Sequence, residues 1–450
     1  MTNEYFAKYE TISWILDENP RLLDLVHCDL KEPLGILNSG ASEDDFEYTS
    51  ETVLRMAICQ NVEGLSLRGT VIRIDDSHFL RRFVHIDSGP MMDFTTFCRL
   101  RNAISPQTWK KVNQALARYA VEKTLIEGDE LRIDTTAVET NIHWPTDSSL
   151  LWDTYRVLAR VIAVSRELDP RIVGNRRIHT KRVKRRAAEI ARKASKKPGS
   201  QEKLRPLYQQ LIEQVLDICQ WAEEVRQNLE EKCRKGRGGD LVQETAAYLA
   251  EEIAHYRHLG LRVIDQASRR VLDGEQVPNE EKLFSIFEPH TELLKRGKAG
   301  KDIEYGHMIQ IQQVASKFIT DYEVFEMKPV EHQLLEGVLK SHRKLFGESP
   351  RSISADKGYY ESMDAIAELR QEIDVVSIAK KGKRTEEETL RESDEDFRAA
   401  QRFRAGVEGT ISFLKRILGL FRCFNKGWDH YVSTVGATIF THNLLILARA

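Results

Sequence analysis

Hydrophobic spacing along the chain changes three times. From residue 1 to about 125 apolar side chains recur at helical spacing, as in "SETVLRMAICQ", with Ser50 as a candidate N-cap. "DFTTFCRLRNAISPQTWKKVNQALARYAVEKTL" reads as two helices broken around Pro106. The "SPQT" between them resembles a helix-turn-helix only loosely, and generic helical packing is the expected arrangement. "DELRIDTTAVETNI" then switches to a strand pattern through Leu131, Ile133 and Val138, and stops at Pro145. Thr146 or Asp147 can cap the next helix, "SSLLWDTYRVLARVI". To about residue 275 the spacing stays helical, punctuated by "KKPGS" and "KGRGGD".

After "GEQVPN" alternation returns. "IEYGHMIQIQQVAS" and "FITDYEVFEM" predict a β-hairpin. A helix "EHQLLEGVLKSHRKLFG", a strand "SISAD", a helix "SMDAIAELRQEI", a strand "DVVSIAKKG" and a helix "QRFRAGVEGTISFLKRI" complete the series. This order predicts an α/β protein whose mixed sheet is covered by helices and interrupted, after its first strand, by an all-helical insertion. The expected divisions are an N-terminal helical domain at 1–125, a first sheet segment at 126–149, the insertion at 150–280 and the rest of the sheet domain at 281–450.

Composition fits a helix-rich globular chain: 450 residues, 41% hydrophobic and 30% charged, with sparse Gly and Pro. The formal net charge of −2 hides a basic segment, Arg171 to Lys197, in which Glu189 is the only acid. Arg176, Arg177, Lys181, Arg182, Lys184, Arg185 and Arg186 are its candidate contacts to a nucleic-acid backbone; a solvated helix face is the alternative. "HTELLKRGKAGKDIEYGH" is a second basic block expected against DNA. The six scattered cysteines support neither a zinc ribbon nor a disulfide framework and suggest reduced thiols. The acidic, polar N-terminus is unlike a signal peptide, and no apolar run has membrane-spanning length, so a cytoplasmic protein is expected. "VGATIFTHNLLILARA" is expected to be a buried C-terminal helix.

Three acids fall at informative places. Asp134 lies in the first strand, Asp356 ends "SISAD" before "KGYY", and Glu408 lies on the closing helix. On that helix Arg404, Glu408 and Lys415 fall within about 40° of one another, beside the apolar stripe Val407, Ile411, Leu414 and Leu418. Carboxylates at the carboxyl ends of strands face the crevice of an open sheet, and a bare cluster there requires counter-charge or a divalent cation. Oxygen ligands suit Mg²⁺ or Mn²⁺. Each acid has a plainer alternative: a strand-end turn at Asp134, a turn before Gly358 at Asp356, and a salt bridge from Glu408 to Arg404.

The blocks "RIDTTAVETNIHWPTDSSLL", "SIFEPHTELLKRGKAGKDIEYGHMIQIQ", "SADKGYY" and "RFRAGVEGTISFLKR" resemble those of bacterial insertion-sequence transposases of the DDE type. The resemblance implies a ribonuclease H-like core in which Asp134, Asp356 and Glu408 are the catalytic triad holding two Mg²⁺ (or Mn²⁺) ions. It implies that Arg404 and Lys415 contact transposon-end DNA near the scissile phosphate. Many members carry Tyr three positions before that Arg, where this chain has Gln401. The implied partners are double-stranded DNA, as terminal inverted repeats and target, and a second copy of the chain in the synaptic complex, acting on the bacterial nucleoid with no membrane involved. A nuclease of the same fold that does not join, or a domesticated DNA-binding protein, are the alternatives. Trp144 is expected in the core or at a rim, with stacking on a flipped base as its alternative. His307 is expected to be packed, without a catalytic role.

Overall fold

The computed structural model describes residues 2–35, 48–87, 89–194, 200–235, 239–298 and 301–449. The chain forms two compact units, Met1–Asn141 with Gly306–Ala450, and Ile142–Tyr305. The inserted unit is therefore wider at both ends than the helical stretch at 150–280.

The first unit holds most of the sheet. Its first strand, β1 (Glu130–Thr140), is central: it runs antiparallel to β3 (Lys301–Val314) and parallel to β5 (Ser352–Ala355), which pairs in parallel with β6 (Val375–Ile378). β4 (Ile319–Val324) continues antiparallel from β3 as the expected hairpin, and the two-residue β7 (Arg422–Cys423) extends the far end of β1 in parallel. The mixed sheet inferred from alternation is thus present. Within it β1 and β3 approach closely opposite Glu139, where Gly306 sits: a Cβ there would fall on the Val138 carbonyl oxygen. β2 (Glu292–Lys298), which alternation did not single out, pairs with β3.

Among the described residues seven helices precede β1: α1 (Thr2–Asp17), α2 (Pro20–Leu30), α3 (Ser50–Glu63), α4 (Leu67–Asp75), α5 (His78–Phe83), α6 (Phe94–Ala103) and α7 (Pro106–Glu122). Pro106 occupies the first turn of α7, where its missing N–H costs nothing, and Ser105 caps it. The N-cap of α3 is Thr49 rather than Ser50, because the Thr49 hydroxyl reaches the Thr52 amide.

The insertion comprises α8 (Asp147–Leu168), α9 (Pro170–Val173), α10 (Thr180–Lys193), α11 (Ser200–Arg234) and α12 (Asp240–Ala267) around a core of its own, including Leu158, Ile162, Leu211, Val215 and Ile253. Thr146 closes a capping box with Ser149 at the start of α8.

After β4 come α13 (Leu335–Phe346), α14 (Met363–Leu369), the short polar α15 (Glu386–Ser393), α16 (Glu395–Arg416) and α17 (Trp428–Leu447). Alternate residues of β1 decide which layer each faces. Leu131 and Ile133 pack with Val338 of α13 and Ile366 of α14. Arg132, on the other face, meets α16: its guanidinium donates to the Phe403 carbonyl oxygen at 2.7 Å and to Gln313 at 2.8 Å. The N-terminal helices share one core with α17, β3 and β4. α17 is the buried C-terminal helix foreseen from its sequence, and among the described residues no helix is long and apolar enough to cross a membrane. The six cysteines, all among the described residues, form no disulfide.

Candidate active site

Two of the three acids lie near each other. β1 and β5 pair Leu131 with Ile353 and Arg132 with Ser354, Asp134 and Asp356 each follow two residues past that last pair, and the Asp356 charge acts on the Asp134 carboxyl. β5 ends at Ala355 while β1 runs on to Thr140, so the two carboxylates stand where one parallel strand stops and its neighbour continues. Asp356 then caps the 3₁₀ turn Lys357–Tyr359, accepting the Lys357 amide at 2.6 Å. Asp134 accepts the Thr135 amide at 2.8 Å.

α16 brings the basic residues. Val407, Thr410 and Leu414 are buried, which turns the edge bearing Arg404, Glu408 and Lys415 toward β1. The Arg404 Nη1 lies 3.6 Å from Asp134 Oδ2, and its Nε is buried with no hydrogen-bond partner among the described residues. Two turns beyond Glu408, Lys415 Nζ donates to the Ala137 carbonyl oxygen of β1 at 2.6 Å. Glu408 itself is exposed, between two neighbours that both reach β1. Among the described residues no three Asp, Glu, His or Cys side chains already form a set able to hold a metal ion. Asp134 and Asp356 are together; Glu408 sits on the adjoining helix edge.

The electrostatics follow from this placement. Burial pushes the Asp134 carboxyl up to about 6; the Thr135 amide and Arg404 oppose the rise, while Asp356 and Glu331 add to it. Burial also raises the Tyr359 phenol, and Glu331, Asp134 and Asp356 add to that rise. The crevice therefore gathers more negative charge than Arg404 offsets, and its donors are carboxylate oxygens, a set that fits a hard divalent cation. An Asp whose folded value is raised favours the fold below its unfolded value near 3.8, and that contribution is lost as pH rises through about 6. Asp134→Asn is accordingly expected to stabilise the metal-free protein at pH 8 by on the order of 1–3 kcal/mol and to give no gain at pH 4. Thermal unfolding at the two pH values checks this; equal melting temperatures at pH 8 would refute it.

Glu331 was not marked by the sequence reading. It opens a 3₁₀ turn, Glu331–Leu334, and no motif or periodicity in "KPVEHQ" points to it. His307 is buried, stacked edge-on against Trp428 and Tyr431 at 4.8 and 5.2 Å. Trp144, expected in the core or at a rim, is 64% exposed and edge-on to Tyr305.

In the insertion, α10 buries Val183, Ala187 and Ile190 and turns Lys181, Arg182, Lys184 and Arg185 outward, with Arg186 half-buried. None of these five, nor the exposed Arg177, makes an ion pair with another described residue. Arg176 differs. It bridges to Asp217 at 2.7 Å and Glu224 at 3.4 Å and lies over the Trp221 ring, which ties it to α11. Lys196 and Lys197 at the end of the basic run, and Ala299 and Gly300 in the second basic block, lie outside the described residues.

Residues 265–444 match the family model of the transposase DDE domain. That stretch of the chain is similar to a transposase DDE domain. The resemblance to insertion-sequence DDE transposases read from the sequence blocks is borne out by that match. The matched stretch of the DDE domain contains Asp356 and Glu408; Asp134 precedes it and joins Asp356 through the pairing of β1 with β5. No curated protein and no solved structure matches the chain.

Proposed function

We propose that this protein is the transposase of an insertion sequence, binding the terminal inverted repeats of its own element, cutting DNA at the ends and joining them to a target. The observation that carries this reading is the closeness of Asp134 on β1 to Asp356 just past the end of β5, beneath a helix that sets Arg404 on the first of them. We read the sheet as ribonuclease H-like: a long central strand, an antiparallel hairpin on one side, and two parallel strands on the other. Asp134, Asp356 and Glu408 would hold the Mg²⁺ or Mn²⁺ ions, two in number, whose bound form supplies charge neutralisation at the phosphate and an activated oxygen nucleophile. Glu408, being exposed, can turn into the crevice without disturbing the core.

The residues of the chain bind and orient the strand. Arg404, with its Nε unpartnered, takes a phosphate oxygen beside the scissile bond. Lys415 adds positive charge next to it while fastening α16 to β1. The outward face of α10 binds backbone phosphates along the element's end without reading sequence. In cleavage a water oxygen bonds to phosphorus as the 3′-oxygen leaves with a proton; in joining the freed 3′-hydroxyl bonds to a target phosphorus and a second 3′-oxygen leaves. Both are in-line displacements, so one crevice serves both. Two ends must be held at once, which calls for two copies of the chain on the DNA, in the cytoplasm of a bacterial cell.

Incubating the purified chain with Mg²⁺, a labelled duplex bearing the repeats that flank its reading frame, and supercoiled plasmid tests this. Label joined covalently to plasmid is expected. Nicking without joining would mark a nuclease of the same fold, and neither product would mark a DNA-binding derivative.

A further inference from the structure

Resting on that reading of the crevice, we infer that Glu331 is a positioning residue of the active site, which locks the strand bearing Asp134 to the turn bearing Asp356. Glu331 is not in the triad, yet it reaches the residue after Asp134 and the glycine two past Asp356. Its Oε1 accepts the Thr135 hydroxyl at 2.6 Å, and the Thr135 amide holds Asp134 Oδ1 at 2.8 Å. One residue thus ties Glu331 through its side chain and Asp134 through its backbone. The other carboxylate oxygen of Glu331 lies against the backbone of Gly358, two residues past Asp356: a Cβ at 358 would overlap it.

A parallel tie runs beside the first. Gln310 stands directly across from Thr135 in the β1–β3 register, and its amide donates to the Tyr359 hydroxyl at 2.9 Å. The turn after Asp356 is therefore engaged twice by the layer carrying Asp134, by close packing of the Glu331 carboxylate on Gly358 and by a hydrogen bond at Tyr359. This matters because β5 has ended: beyond Ala355 the ladder between β1 and β5 no longer fixes Asp356 relative to β1. Side-chain ties take over where the sheet stops. Gly358 has the same explanation, since a side chain there would displace the carboxylate.

Positioning and direct metal ligation by Glu331 make different demands. A tie needs an acceptor for the Thr135 hydroxyl, which the Gln amide oxygen supplies; ligation needs the negative charge. Mn²⁺ binding to the full-length protein, followed by electron paramagnetic resonance, separates them without reference to activity. Glu331→Ala and Thr135→Val are each expected to weaken Mn²⁺ binding by about 10–100-fold, the range for partners that orient metal ligands. Glu331→Gln is expected to stay within about threefold of the native protein. Melting temperatures identify any variant that fails to fold, and the Gln variant preserves the shape of the site should Ala not. Binding unchanged in Glu331→Ala overturns the inference, and so does loss in Glu331→Gln equal to that in Glu331→Ala. Asp134→Asn and Asp356→Asn, run alongside, report on the crevice itself: if they bind Mn²⁺ as the native protein does, the metal reading fails, and the role of Glu331 with it.

Discussion

Asp134→Asn, Asp356→Asn and Glu408→Gln are each expected to lower strand cleavage and joining by roughly 10³-fold or more while leaving binding of the end DNA within a few-fold of the native protein. Each substitution is nearly isosteric and removes one ionised oxygen donor from a crevice whose function in this reading is to gather charge around a phosphate. A loss of several kcal/mol of transition-state stabilisation converts to that factor at about 1.4 kcal/mol per tenfold. Unfolding does not offer a competing cause. Glu408 is exposed, and burial holds the Asp134 carboxyl above its ordinary value, so neutralising either leaves the packing intact. In this reading the three acids act as one unit, so a double variant is expected to be little worse than a single one. Cleavage of labelled duplex in Mg²⁺, with gel-shift binding as the control, checks this. Near-native cleavage by Glu408→Gln would remove α16 from the chemistry and leave a two-carboxylate crevice.

The second large effect concerns affinity. Replacing Lys181, Lys184 and Arg185 together by Ala is expected to weaken binding of duplex DNA by about 10–10²-fold near 100 mM salt. The slope of log K against log salt is expected to fall by about 2–3, close to one for each phosphate that is no longer neutralised. These side chains point away from the Val183, Ala187 and Ile190 stripe, so the helix keeps its anchor in the insertion. Arg176→Ala is the contrast. Its guanidinium is engaged by Asp217, Glu224 and the Trp221 ring, and its loss is expected to lower thermal stability and to change the salt slope by less than one of the outward residues does. A triple variant with an unchanged salt slope would mean that the α10 face is merely solvated.

Periodicity carried most of the architecture. The β3–β4 hairpin, β5, β6 and α16 were legible because their apolar residues repeat at period 2 or 3.6 over enough positions. β7 was not, since two residues contain no period, and neither was α15, whose "EEETLRES" has almost no apolar face to mark a helix. Helix phase foresaw the row Arg404, Glu408 and Lys415 beside the buried stripe. What sequence spacing left open was register. Asp134 and Asp356 come near each other because β1 and β5 pair up to two residues before them, across more than two hundred residues of chain. Glu331 was invisible for the same reason: its role arises from a hydroxyl on β1 and a bare backbone at Gly358, neither near it in sequence. Arg176 counted in the sequence as one more basic residue, and only its neighbours on α11 separate it from the rest.

The most direct measurement is a crystal structure of the protein with its end DNA, soaked in Mn²⁺ and recorded at the manganese absorption edge. Anomalous peaks about 2.1 Å from carboxylate oxygens of Asp134 and Asp356, with Glu408 swung in to complete the set, are the expected result. Manganese bound elsewhere, or a crevice in which Glu408 stays turned to solvent with the DNA in place, would contradict it.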